Sequence, residues 1–225
     1  VMVDNRKMSK SLKNFFTIKE ALEKYQADVI RYMILSFSIS SNVNFSEDNL
    51  SAASKRVYHY YQVLKQIDEL PAPHPEGPGE AAASPETDPI KKDFMAAMDD
   101  FFNTAKVLSS LPALFKTAQE ILLAKGTPPA DKARTLRNFR RGLYDISSVL
   151  GILDEDPSEY AAGFKAKYVR NNKLDVALIE ARIKERTEAR KSGNYALADA
   201  LRNELSKLDI LLHDKPGGTD WSIAV

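Results

Sequence analysis

The chain has 225 residues, of which 44% are hydrophobic and 28% are charged, and its formal net charge is +1. This length can form one large or two small domains with real cores, and the composition excludes a disordered or fibrous chain. The balanced charge gives no global argument for nucleic-acid binding, no apolar run reaches the roughly eighteen residues of a membrane span, and the absence of cysteine excludes disulfides and a thiolate zinc site in this chain.

The N-terminal part begins with a strand-like Val1-Met2-Val3, shows no targeting peptide, and continues through a short polar stretch into helices. Thr17 and Glu20 fit a capping box at the start of the first helix, and Ser46 is a good cap for a long third helix. Between these signals apolar residues recur at helical spacing. The predicted helices cover residues 17–25, 28–35 and 46–70.

The middle of the chain is predicted to be a linker followed by a helical bundle. Residues 71–89 hold six of the eleven prolines, so they are interpreted as an extended linker. Later apolar residues at helical spacing predict antiparallel helices, one of them kinked at Pro112. A single helix to about residue 150 is predicted to carry the basic face Lys132 to Arg141, which either contacts a nucleic-acid backbone or is simply solvated. Residues 154–173 are interpreted as irregular.

The last part, residues 170–225, is predicted to form a small unit of two helices and a hairpin. Ser192-Gly193 is a good stop for the first helix, and two short apolar runs flank a turn that contains Pro216. The fold class is therefore mostly α. We expect an N-terminal loop with short helices over 1–45, an antiparallel bundle over 46–153, and a small α+β helix–helix–hairpin module over 170–225.

The polar stretch contains a candidate anion-binding loop, Lys7-Met8-Ser9-Lys10-Ser11. The ammonium groups of Lys7 and Lys10 are mobile point charges, and the hydroxyls of Ser9 and Ser11 can donate to phosphate oxygens. Loss of one such donor from a transition state typically costs about 3–4 kcal/mol. Two lysines at this spacing are, by themselves, more often a solvated basic loop.

The complete loop resembles the KMSKS signature of class I aminoacyl-tRNA synthetases in all five letters. The rest of the chain is similar to cysteinyl-tRNA synthetases in particular. Lys13 departs from the glycine of many members, and Phe101 and Ala105 replace an acid and a proline. The similar stretches are residues 14–18 (NFFTI), 28–32 (DVIRY), 44–50 (NFSEDNL), 98–104 (MDDFFNT), 150–153 (LGIL), 179–202 (IEA, ARK and ADALR) and 212–221 (LHD and GTDW).

This resemblance implies an enzyme that activates cysteine with ATP and Mg²⁺ and then transfers it to tRNA-Cys. Lys7 and Lys10 would be catalytic, neutralising the triphosphate as pyrophosphate leaves, and Lys7, Met8, Ser9, Lys10 and Ser11 would bind ATP. The class also needs an H-I-G-H-type motif, and this family needs zinc; neither can be built from this chain. We therefore expect the C-terminal part of a monomeric, cytoplasmic enzyme that contacts no membrane. This part holds no metal and is inactive alone.

A second candidate site lies in the C-terminal unit. Arg182, Arg186 and Arg190 lie four residues apart and so share one helical face. Guanidinium groups suit phosphates and base edges, aromatic rings stack on unpaired bases, and acids in a basic site favour base readout. The arginine row and the resemblance together assign anticodon binding to Arg186, Arg190, Tyr195, Asp199, Asp214 and Trp221. The alternative is that Arg182 and Arg186 pair with nearby glutamates and that Trp221 is core.

Three other functions stay open at this point. The methionine enzyme shares the signature and a helical bundle, although the terminal Gly-Thr-x-Trp hairpin argues against it. A cysteine ligase that uses a small amine instead of tRNA would have no use for an anticodon module. A non-catalytic RNA-binding domain is the alternative outside the enzymes.

Overall fold

The computed structural model describes residues 2–3, 6–9, 17–71, 89–215 and 217–224. The chain is divided into two compact units, Val1–Ala161 and Ala162–Val225. Most of the predicted proline-rich linker lies outside the described residues. Within the described ranges, no helix has the length and apolar character needed to cross a membrane.

A small sheet and two short helices open the first unit. In chain order they are β1 (Met2–Val3), β2 (Arg6–Lys7), α1 (Ile18–Lys24), α2 (Ala27–Leu35) and β3 (Asn44–Phe45). β1 is the central strand, antiparallel to β2 and parallel to β3. The predicted capping box is confirmed, because the Thr17 hydroxyl accepts from the Glu20 N–H at 3.2 Å and the Glu20 carboxylate accepts from the Thr17 N–H at 2.5 Å.

The first unit continues as the predicted helical bundle. Its helices are α3 (Glu47–Asp68), α4 (Pro89–Asp99), α5 (Thr104–Leu123), α6 (Pro129–Gly142) and α7 (Tyr144–Leu150). Ser46 caps α3 as predicted, accepting from the Asn49 N–H at 3.1 Å. α5 runs through Pro112 without interruption.

The centre of the bundle is filled by tyrosines of α3. Tyr60 stacks on Phe115 with ring centroids 4.1 Å apart, and Tyr61 stacks on Tyr160 at 3.7 Å. Both α3 rings are almost completely buried, and so is Tyr58. This aromatic run therefore belongs to the core, since none of these three rings offers a free face to a base.

Two predictions about this part of the chain are wrong. The single helix expected up to residue 150 is divided into α6 and α7 just after Gly142, a poor helix former. Residues 154–173, interpreted as irregular, contain α8 (Pro157–Asn171). Asp156 begins that helix, since its carboxylate accepts from the N–H groups of Ser158 and Glu159 at 2.9 and 3.0 Å.

The second unit has the predicted helix–helix–hairpin order. Its elements after α8 are α9 (Val176–Lys191), α10 (Tyr195–Ser206), β4 (Ile210–Lys215) and β5 (Gly218–Ile223). The strands are antiparallel, with Leu212 opposite Trp221 and Asp214 opposite Thr219. Gly193 ends the first of these helices at φ +75°, a conformation that costs glycine little.

Candidate functional site

The predicted phosphate-binding loop is described only in part. Lys7 lies at the end of β2, exposed and opposite Met2 of β1. Met8 and Ser9 follow it and are half-buried. Lys10 and Ser11 lie outside the described residues.

In the second unit, Asp214 is the centre of a compact charged cluster. Arg186 donates to both carboxylate oxygens, from Nη1 at 2.9 Å and from Nη2 at 3.0 Å. Arg190 Nη1 donates to Oδ2 at 2.5 Å, and the Thr219 hydroxyl donates to Oδ1 at 2.8 Å. The antiparallel register places Thr219 directly opposite Asp214, which explains this last contact.

These four donors determine the electrostatics of the cluster. The hydrogen bonds, first of all from Arg186, hold the pKa of Asp214 well below its ordinary value. The hydrogen bond to Asp214 in turn raises the pKa of Arg186, and the charge of Asp199 adds to this effect. A carboxylate has about four acceptor positions, so Asp214 has none left for a base unless one donor leaves.

The donor best placed to leave is Arg190. The Arg186 side chain is 7% exposed, whereas 48% of the Arg190 side chain is exposed. Arg186 is therefore an internal support of the cluster, and Arg190 is its solvent-facing member.

Two other predicted residues lie exposed near the start of α10. Tyr195 is the first residue of α10 and is 66% exposed. The turn that precedes it is tight, because the Asn194 N–H donates to the Ala189 carbonyl at 2.8 Å. Asp199 is exposed one helical turn after Tyr195 and therefore lies on the same side of α10.

Trp221 does not fit the predicted anticodon contact. It is 5% exposed, and its indole N–H donates to Glu180 at 2.7 Å. The Lys165 ammonium lies 3.4 Å from the ring centroid and donates to the Trp221 carbonyl. A ring covered in this way cannot stack on a base, so the alternative interpretation as core is correct for Trp221.

The remaining arginine of the row is engaged by glutamates. Arg182 donates to Glu185 at 2.9 Å and to Glu204 at 3.1 Å. The solvated-helix alternative therefore holds for Arg182, whereas Arg186 pairs with Asp214 and not with a glutamate of its own helix.

The basic face of α6 also has local partners. Arg137 donates to the carbonyls of Leu70 and Pro71 at 3.3 and 3.4 Å, and Arg140 pairs with Asp68 at 3.0 Å. Lys132 donates to carbonyls at the end of α5. Much of this face therefore satisfies the ends of neighbouring helices, which favours a structural explanation over contact with a nucleic-acid backbone.

The sequence prediction missed three residues with clear roles in these contacts. Thr219 donates a hydrogen bond to Asp214, and Glu180 accepts one from the indole N–H of Trp221. Strand alternation was the available signal for Thr219, because it places residues 219 and 221 on one side of the hairpin. Asp28 lies in the first turn of α2, as predicted, and it is also a buried acid of the first unit. The part of the chain that the structure describes contains no group of three or more His, Asp or Glu residues placed to hold a metal ion.

Three family models match the chain in succession. The model for the tRNA synthetases class I (C) catalytic domain matches residues 1–55. The DALR domain model matches 93–154, and the cysteinyl-tRNA ligase anticodon binding domain model matches 177–221. The Asp214 cluster lies inside the last of these ranges. Together with the helical fold, the matches define the C-terminal part of a class I aminoacyl-tRNA synthetase.

Known relatives specify the family further. The chain is 39% identical over 221 residues to the cysteine–tRNA ligase of Tolumonas auensis, covering 98% of this chain and 43% of the relative. It is 39% identical to that of Haemophilus influenzae, with the same shares, and 34% identical to that of an Anaeromyxobacter strain, covering 99% and 45%. The chain belongs to the cysteinyl-tRNA synthetases and corresponds to their C-terminal portion. It spans less than half the length of these relatives.

Proposed function

We propose that this chain supplies the KMSKS loop and the tRNA-binding end of a ligase that charges tRNA-Cys with cysteine. In the proposed reaction, the cysteine carboxylate attacks the α-phosphate of ATP and releases pyrophosphate, and a hydroxyl at the 3′ end of the tRNA then displaces AMP. The enzyme is proposed to be monomeric and to work in the cytoplasm, where translation consumes its product.

Lys7 and Lys10 are the proposed catalytic residues. Their positive charges would balance the charge that develops on pyrophosphate as it leaves, and Mg²⁺ bound with ATP would supply further positive charge to the phosphates. Met8, Ser9 and Ser11 complete the proposed ATP-binding loop. The exposure of Lys7 at the end of β2 is the described feature that supports this role.

A zinc ion would have to be held by residues outside this chain. The chain contains no cysteine and only three histidines, at positions 59, 74 and 213, so it cannot supply a thiolate site. Together with the absence of an H-I-G-H motif, this leads us to expect that the chain by itself will not exchange pyrophosphate with ATP. Cysteine-dependent exchange by the purified chain would contradict this expectation.

We propose that the anticodon is read by Arg190, Tyr195, Asp199 and Asp214. The Asp214 cluster is the observation that carries this proposal, because it holds an exposed arginine and an acid within the range that matches an anticodon binding domain. Arg186 is proposed to act through Asp214 rather than by touching RNA itself, and Trp221 is proposed to hold the hairpin in place.

Readout by Asp214 needs an exchange of partners. Arg190 leaves Asp214 and donates to a phosphate or base edge, which frees one acceptor position on Oδ2 for a base amino or imino group. Arg186 and Thr219 keep the carboxylate in its orientation during this exchange. The free protein thus keeps the two groups satisfied by each other until RNA replaces both contacts.

The direct test is binding of the full chain to the anticodon stem-loop of tRNA-Cys, measured by fluorescence anisotropy. We expect Arg190→Ala and Asp199→Ala each to weaken binding by about 1–3 kcal/mol and to relax the preference over stem-loops with changed anticodon bases. Arg182→Ala is the matched control, since it removes the same charge from the same helix but from a residue that pairs with Glu185 and Glu204 and lies outside the Asp214 cluster.

Two results would overturn the anticodon assignment. One is equal affinity of the wild-type chain for the cognate stem-loop and for stem-loops with changed anticodons. The other is unchanged affinity and base preference in Arg190→Ala and Asp199→Ala together. The comparisons favour the cysteine enzyme over the methionine enzyme, and a cysteine ligase acting on a small amine would give the first of these results.

A further inference from the structure

Asp28 is a buried acid that the proposed reaction does not use. It lies in α2, is 2% exposed, and accepts hydrogen bonds from residues that are far away in the sequence. Its Oδ2 accepts from the Tyr61 hydroxyl at 2.6 Å and from the Leu153 N–H at 2.8 Å. A buried carboxylate is tolerated only with such partners, so this position is occupied by an acid for a specific reason.

The turn that Asp28 holds is conformationally strained. Leu153 has φ +60°, a region that residues other than glycine rarely adopt, and Gly151, two residues earlier, has φ +64°. Arg31, one turn after Asp28, donates to the Gly151 carbonyl at 3.0 Å. The Tyr61 hydroxyl also accepts from the Glu155 N–H at 3.3 Å. Three side chains thus fix the backbone of residues 151–155, which we call the end turn.

The location of these contacts points to a role beyond stability. Asp28 and Arg31 belong to the range that matches the catalytic domain, whereas Gly151 and Leu153 belong to the range that matches the DALR domain. Asp28 and Leu153 are 125 residues apart in the sequence. The buried acid therefore connects α2, in the range that matches the catalytic domain, to the end turn of the range that matches the DALR domain.

We propose that Asp28 is a positioning residue for the transfer of cysteine to tRNA. It keeps α2 and the end turn in one arrangement, so that tRNA held by the helical part of the chain meets the catalytic end at a fixed angle. This inference rests on the proposed function. Activation of cysteine by ATP needs no tRNA, so the residue should matter for the second step and not for the first.

The test compares two variants of Asp28 in the cysteine–tRNA ligase that contains this chain. Asp28→Ala removes the acceptor of both Tyr61 and Leu153 and the ion-pair partner of Arg31. Asp28→Asn also loses the charge that faces Arg31, but it keeps one carbonyl oxygen that can accept from Tyr61 and Leu153, so it is the conservative variant. Two activities are measured on each protein, namely cysteine-dependent pyrophosphate exchange and the charging of tRNA-Cys.

We expect a selective loss. Asp28→Ala should lower kcat/KM for tRNA charging about tenfold to a hundredfold, the usual consequence of a small misplacement, and leave pyrophosphate exchange within about twofold. Asp28→Asn should restore charging. Tyr61→Phe, which removes one donor and keeps the aromatic stack on Tyr160, should lower charging less than Asp28→Ala and also spare exchange. Asp93→Asn, an exposed acid on α4, is the control for the loss of charge.

The outcomes are distinguishable. If Asp28→Ala and Tyr61→Phe lower exchange and charging equally, or leave charging unchanged, the positioning role is wrong. If Asp28→Asn is as impaired as Asp28→Ala, the shared acceptor oxygen is not the cause and the inference fails. A wild-type ligase that neither exchanges pyrophosphate nor charges tRNA-Cys would instead overturn the proposed function itself.

Discussion

Asp28 in the first unit and Asp214 in the second are both carboxylates with well-placed donors, but their surroundings differ. Asp28 is buried; the Tyr61 hydroxyl and the Leu153 N–H donate to its Oδ2, and Arg31 Nη1 lies 3.5 Å from its Oδ1. The Asp214 side chain is 45% exposed, and its donors include two guanidinium groups. The first acid has no solvent to replace a lost partner, whereas the second can exchange a partner for water or a ligand.

Burial therefore decides which acid is available to RNA. A buried donor left without an acceptor costs about 1–3 kcal/mol, so breaking the contacts of Asp28 destabilises the fold. Exposed ion pairs contribute little to stability, so the release of Arg190 from Asp214 requires little free energy. The same residue type thus serves structure in one unit and, as we propose, recognition in the other.

The largest expected effect extends this comparison to the aromatic residues of the second unit. Trp221→Ala should lower the free energy of unfolding of this unit by about 3–5 kcal/mol, because it empties a filled core position. Far-UV circular dichroism in urea measures the change. Tryptophan fluorescence cannot be used for this variant, because Trp221 is the sole tryptophan of the chain. If Trp221→Ala is as stable as the wild type and has lost only RNA binding, Trp221 contacts the anticodon and is not a core residue.

The direct comparison of the two acids should give the next largest effect. Asp28→Ala is expected to lower the free energy of unfolding by about 3 kcal/mol, because the Tyr61 hydroxyl and the Leu153 N–H stay buried without an acceptor. Amide hydrogen exchange at Leu153 and Glu155 should accelerate. Asp93→Ala, at an exposed position, is the control and should change neither quantity. Unchanged exchange at Leu153 would show that another group holds the end turn.

Tyr195 tests the exposed side of the comparison. Tyr195→Ala should weaken binding to the anticodon stem-loop by about 1–3 kcal/mol, the usual contribution of one base stacked on an aromatic ring. The thermal unfolding curve should stay as in the wild type, because the ring is 66% exposed. Tyr195→Phe is the conservative control and should keep most of the affinity. Loss of stability without loss of affinity would place the ring in the fold instead.

The smallest effect is expected in the pH dependence of the second unit. Hydrogen bonds, foremost from Arg186, hold the pKa of Asp214 below that of the unfolded chain. Its stabilising contribution is therefore complete above about pH 4 and is lost as the pH falls toward the folded pKa. In Asp214→Asn, the free energy of unfolding should decline less steeply below about pH 4 than in the wild type. Trp221 fluorescence in urea measures this free energy at each pH. An identical decline in both proteins would mean that Asp214 contributes nothing measurable to stability.

Much of the local structure could be read from the chain. The capping box at Thr17 and the stop at Gly193 depend on neighbours within a few residues, so composition and spacing predict them well. α8 was missed, although Asp156 and Pro157 form a good start for a helix and Tyr160 and Phe164 lie one turn apart and are both buried. The many polar residues between 154 and 173 hide the helical spacing of these apolar residues, so the segment was predicted to be irregular.

The sequence alone determined the mostly helical class, the family resemblance and the identity of the charged residues in both candidate sites, because these follow from local patterns. Only the tertiary structure decided that Arg186 and Trp221 face inward, that Arg190 shares Asp214 with Arg186, and that Asp28 holds a turn 125 residues away. The physical reason is that burial and pairing depend on groups brought together from distant parts of the chain, and spacing along one helix or strand does not contain that information.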